Sequence, residues 1–170
     1  MRYHSEPDTR ETLPHVVRTV IDIAAPPPEV FEALTEPREL AEWWRGEATR
    51  TVDCESDPRP GGAWRVRTVG PDGAERSVGG EYQVVDPPHR LDQSWQADDD
   101  ARPSHVRYDL EPCEIDGAEG TRLTVTHTST TAMALGASAA VSVQHAFGPA
   151  RCATHARPAW ALRTHAVARW

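Results

Sequence analysis

The 170-residue chain contains no lysine and no asparagine, and all 18 of its basic residues are arginine. Without lysine there is neither a Schiff-base amine nor the lysine of a phosphate-cradling loop. So one-sided a use of arginine points to a GC-rich gene. Cysteine is scarce. Cys54, Cys113 and Cys152 are odd in number, widely spaced and free of any C-x-x-C pair, which is the pattern of free thiols in a reducing compartment. No helix start or basic cluster stands beside them to lower a thiol pKa. No apolar run approaches the roughly 18 residues of a membrane span, and the N-terminal MRYHSEPDTRET is polar throughout, unlike an export signal. The expectation is a cytoplasmic protein with no membrane contact. A net charge of −8 excludes an electrostatic nucleic-acid binder, which would gather basic residues on one face.

A composition of 38% hydrophobic residues suffices for one domain with its own core. The expected organisation is a flexible tail over residues 1–14 and a single domain over 15–170, with 131–170 atypical in composition. The central stretch is Pro26 to Trp44, PPPEVFEALTEPRELAEWW, which alone reads as helical between strand-like runs. Val30, Phe31 and Leu34 share one side, and Leu40, Trp43 and Trp44 repeat the arrangement after a break at Pro37. Two short helices with a common apolar side would cover the apolar face of an antiparallel sheet.

Before them, His15 to Ala24 alternates, with Val17, Thr19, Ile21 and Ile23 on one face and Arg18, Val20 and Asp22 on the other. After Gly46, turn signals at 57–62, 70–73, 87–88, 98–103 and 116–117 divide the chain into about six strands ending near Thr128. Their inward sets are Trp64, Val66 and Thr68, then Tyr82 and Val84, then Leu91, Gln93 and Trp95, then Val106, Tyr108 and Leu110, and finally Leu123, Val125 and His127. Arg65, Arg67, His105, Arg107, Arg122 and Thr124 point the other way. Asp98, Asp99 and Asp100 read as a solvated hairpin loop.

The segment beyond Glu119 carries five arginines and no carboxylate. Apolar periodicity is poor from Thr128 to Arg157, and Pro158 to Trp170 has a helical hint from Trp160, Val167 and Trp170. His145, His155 and His165 recur at a spacing that shares no helical face, and Cys152-x-x-His155 is only half of a zinc pattern, so no metal is expected.

The succession IDIAAPPPEVFEALT, EWW, PGGAWRV, G-x-Y-x-VVDPPHRL and LTVTHT resembles the SRPBCC (START-like, helix-grip) superfamily over about Val16 to Ser129. Within that superfamily it is similar to homologues of the activator of the 90-kDa heat-shock-protein ATPase. The resemblance implies an α+β helix-grip fold, a sheet of about seven antiparallel strands curled around a C-terminal helix, with a cavity between sheet, helix and lid. The chain departs from that pattern after the last strand, where the family's long Glu- and Leu-rich helix is replaced by TTAMALGASAAVSVQHAFGPARCATHARPAW. Either the terminal helix is degenerate or the reading frame shifts after about Thr130. Its missing apolar stripe implies looser packing and a cavity open on one side, or closed by a second copy in a homodimer.

Alone, Trp64, Tyr82, Trp95 and Tyr108 read more readily as a filled core than as a pocket. The hollow architecture implied by the resemblance makes them pocket walls for a small apolar or aromatic ligand, closed by Trp43 and Trp44, with Gln93 and His127 as polar contacts. His127 would orient the ligand or act as a general base near neutral pH. No inward carboxylate is available for a triad or dyad, no Ser lies in a G-x-S-x-G context, and neither a catalytic residue nor a cofactor is expected. The other functions implied by the superfamily are a polyketide cyclase or aromatase, and a chaperone cofactor, the latter normally built with a further N-terminal domain.

Overall fold

The computed structural model describes residues 14–44, 49–98, 100, 102–129 and the backbone of 167–168, with the Trp43 side chain excepted. The expectations for the N-terminal tail, and for the segment after residue 130 apart from 167–168, lie outside the described residues.

The elements run β1 (His15–Ile23), α1 (Pro27–Thr35), α2 (Pro37–Trp43), β2 (Arg50–Ser56), β3 (Ala63–Val69), β4 (Glu75–Asp86), β5 (Arg90–Ala97), β6 (Ser104–Ile115), β7 (Ala118–Ser129) and β8 (Val167–Ala168). All strand pairs are antiparallel, in the order β2-β3-β4-β5-β6-β7-β1-β8. Seven strands with two helices after the first is the architecture expected from the alternation. The two-residue β8 adds to it, pairing Val167 with Asp22 and Ala168 with Ile21. At those two positions the backbone is a strand, where the spacing of Trp160, Val167 and Trp170 suggested a helix.

Proline sets the helix boundaries. Both helices have Pro in their first turn, where an amide hydrogen has no intrahelical acceptor to lose. Glu36 precedes Pro37 and is held extended at φ −74° and ψ 129°, so α1 ends and α2 starts at the same residue. Thr35 at the end of α1 returns its hydroxyl to the Phe31 carbonyl at 2.9 Å. Val30, Phe31, Ala33, Leu34 and Leu40 are buried on the shared side.

Beneath them, the inner face of the sheet contributes Ile21, Ile23, Val66, Leu91, Val106, Leu110, Leu123 and Val125 to one core. One inward assignment needs correction. A register shift between Tyr82 and Val84 places Val84 opposite Asp92 and Val85 opposite Leu91, so Val85, not Val84, packs against the core. An extra residue in one strand reverses the facing of everything after it.

The outer face is polar, with Arg–carboxylate pairs at Arg67–Asp53, Arg90–Asp92, Arg107–Asp109 and Arg122–Asp22. At the hairpin between β5 and β6, the Asp98 carboxylate accepts from the Ser77 hydroxyl at 2.6 Å and ties the loop to β4.

Candidate functional site

Strand register places the inward polar side chains on one line across the sheet. Tyr82 on β4 pairs with Gln93 on β5, Gln93 with Val106 on β6, Val106 with His127 on β7, and His127 with Val17 on β1. Tyr82, Gln93, Val106 and His127 are all buried. The next line toward the β5–β6 hairpin starts with Trp95 opposite Ser104. On the other side of the polar line the sheet is lined by aliphatic side chains, among them Leu91, Leu110, Leu123 and Ile21.

Three indoles converge on this patch. Trp44, the residue that closes α2, stacks on Trp95 with ring centroids 5.3 Å apart and planes 27° apart. Trp64 meets the same ring at 5.2 Å and 50°. His127 meets it at 5.7 Å and 57°. Offset and tilted arrangements at these separations satisfy the ring quadrupoles. Tyr108 lies one inward position further along β6 from Val106 and is buried, which raises its phenol pKa. The Trp43 side chain is outside the described residues, so of the eight residues expected at the site the structure places seven on the sheet's inner face or against it.

Each polar tip has a specific setting. Trp64 Nε1 donates to the Ser94 carbonyl at 3.2 Å. That carbonyl approaches so closely that a Cβ at Gly80 would lie 2.1 Å from it, and only glycine fits there. The Tyr82 hydroxyl is bonded to Ser56 at 2.8 Å, and burial pushes its pKa up to about 12. Ser104 donates to the Trp95 carbonyl at 3.0 Å and lies 2.6 Å from His127 Nε2. With the single hydroxyl proton committed to the carbonyl, we assign the ring proton to Nε2, which donates to Ser104.

Burial lowers the His127 pKa to about 4, with His105 acting in the same direction and Asp100 opposing it, so the ring is neutral at pH 7. This revises the expectation of a general base poised near neutral pH, because burial costs more than nearby charge returns. Gln93 is only 5% exposed. Gln93 and His127 share the line across the sheet but are separated by Val106, so they are not a bonded pair. The half-buried Cys54 thiol is raised to about 11, chiefly by burial and then by Asp53 and Glu55, which keeps it protonated and unreactive.

Ser56 and Ser104 were not among the residues expected here. Ser104 was legible, because it continues the inward alternation of Val106, Tyr108 and Leu110. Ser56 was legible only through its register opposite Trp64.

The family model for Activator of Hsp90 ATPase homolog 1-like protein matches residues 24–150. The chain belongs to this family. The match extends about twenty residues past Thr130, the point at which the composition changes. No curated protein sequence matches the chain. Among solved structures, a protein from Mycobacterium smegmatis is similar at 26% identity and a TM-score of 0.64, over 86% of this chain and 94% of that one. A protein from Rhodobacter sphaeroides is similar at 27% identity and a TM-score of 0.62, over 79% and 92%. An HSP90 activator from Plasmodium falciparum has 21% identity and a TM-score of 0.52 over 69% and 75%, a likeness of fold alone. No helix among the described residues is long and apolar enough to cross a membrane.

Proposed function

We propose that this family member binds a small, flat apolar or aromatic molecule on the inner face of its sheet, and does not transform it. The observation that carries the reading is the cluster of Trp44, Trp64 and Trp95 around one end of the polar line, with His127 beside it. A largely apolar wall with a few fixed polar tips is the usual composition of a small-molecule site. Chemistry would need more than is present. His127 is a weak base with a pKa of about 4, lowered by burial against the opposing charge of Asp100, and its Nε2 is engaged by Ser104. One such group contributes roughly 10²–10⁴-fold at best and only when its pKa matches the working pH.

The test is a titration of aromatic ketones and polyketide-like compounds followed by tryptophan emission, with mass spectrometry for product in parallel. Saturable quenching without product is expected, weakened about tenfold in Trp95→Leu through loss of ring stacking. Quenching by no apolar compound would remove the site. Turnover that disappears in His127→Ala would replace binding with catalysis.

A further inference from the structure

Trp95 is 3% exposed and packed against three rings, those of Trp44, Trp64 and His127. A flat ligand stacked between Trp44 and Trp95 would need their planes about 7 Å apart, twice the contact distance of carbon atoms. The centroids stand at 5.3 Å, so a neighbouring ring must leave before a ligand can meet Trp95. Two of the three are held by strands paired on both sides. Trp64 lies on β3 between β2 and β4, and its Nε1 donates to the Ser94 carbonyl at 3.2 Å. His127 lies on β7 between β6 and β1 and bonds to Ser104 at 2.6 Å. Trp44 instead closes a helix of 7 residues and is only half-buried.

That helix is the less firmly seated of the pair. α1 buries Val30, Phe31, Ala33 and Leu34, and the turn before it is tied to β7 by the Thr121 hydroxyl at 2.7 Å. α2 buries Leu40 alone among its described side chains, and its last turn meets the edge strand β2, where Thr51 donates to the Ala41 carbonyl at 3.1 Å. That carbonyl lies where a helix runs out of amides of its own. Glu36, exposed and extended, is the sole residue between the helices, so rotation about its φ and ψ re-aims α2 while α1 stays seated. Pro37, with φ fixed by its ring, passes that rotation to α2 as a rigid body.

We infer that α2 is a lid: it swings about Glu36, breaks the Thr51–Ala41 bond and lifts Trp44 from Trp95, and a flat ligand reaches the patch only in that open state. This rests on the binding reading above. Openings of this kind run on the microsecond-to-millisecond scale.

The test starts without ligand. The full chain is labelled with 5-fluorotryptophan, its indole signals are assigned by replacing each tryptophan with phenylalanine in turn, and ¹⁹F relaxation dispersion is recorded. Trp44 and Trp95 are expected to share one exchange rate. Thr51→Val should raise the open population about fivefold, the worth of one net hydrogen bond, while Thr51→Ser, which keeps the donor, stays at the wild-type value. In stopped-flow mixing with 2-acetonaphthone, the rate of tryptophan quenching should level off at the wild-type opening rate and at a higher value in Thr51→Val. Absence of dispersion at Trp44 and Trp95, or equal dispersion in wild type and Thr51→Val, overturns the lid. A quenching rate that climbs linearly with the ketone and is the same in both proteins also overturns it and leaves the binding reading standing. Dispersion as expected, with no quenching at any ketone concentration, removes the binding reading and the purpose of the lid with it.

Discussion

His127 is where burial, hydrogen bonding and ring packing meet in one side chain, and its titration should be visible in the stability of the whole domain. Its pKa is lowered to about 4 in the fold against 6.5 when free, so between those values the unfolded chain binds the extra proton. The stabilisation is complete above about pH 6.5 and is lost as the pH falls toward 4. From pH 7 to pH 5 the loss attributable to this group is about 2 kcal/mol. Urea unfolding at both pH values should show that loss in wild type, and His127→Gln should reduce it by most of that amount. An unchanged pH dependence in the variant would mean that His127 titrates normally. At this scale much of the site was legible in the sequence, because alternation alone put Trp64, Tyr82, Gln93, Trp95, Tyr108 and His127 on one face. The partner of each was not, since Ser104 and Ser56 reach the site through cross-strand register, which depends on strand pairing and not on spacing along the chain.

At the level of elements, the helix pair and the sheet are joined by hydrogen bonds as well as by apolar packing, Thr51 of β2 donating to the Ala41 carbonyl of α2 at 3.1 Å. Thr121, fully buried on β7, donates its hydroxyl to the Ala25 carbonyl at 2.7 Å, in the turn that leads from β1 into α1. Thr121→Val keeps the shape and leaves that carbonyl unmatched, so it should cost about 1–2 kcal/mol in urea unfolding. A cost near zero would mean that water replaces the hydroxyl and the turn is not held by it. The turns themselves were written plainly: each Gly, Pro and Asp cluster from 57–62 to 116–117 falls between two strands. The shift between Tyr82 and Val84 was not, because a bulge leaves the residue types on both sides compatible with either face. The Gly79-Gly80 pair just before it was the available signal, since glycine inside a strand marks a close backbone approach.

For the molecule as a whole, the sheet divides the labour between its faces. The outer face holds half-exposed Arg–carboxylate pairs, each of small energetic value in water, and carries the charge that keeps the chain dispersed. The inner face combines the aliphatic core with the three-indole patch, and membership of the Activator of Hsp90 ATPase homolog 1-like family accounts for the scaffold on which that patch is built. Family membership does not specify what is bound, because a fold carries many functions and the site decides among them. The central claim is therefore about location: a flat ligand meets Trp44, Trp64 and Trp95 on the inner face. The most direct measurement is two-dimensional ¹⁵N–¹H NMR of the labelled protein during titration with an aromatic ketone that quenches its tryptophan emission. Saturable shifts of the Trp44, Trp64 and Trp95 indole resonances, with the amides of Glu114 and Glu119 at the opposite ends of β6 and β7 unmoved, are the predicted result. Saturation that moves Glu114 and Glu119 and leaves the three indoles in place would contradict it.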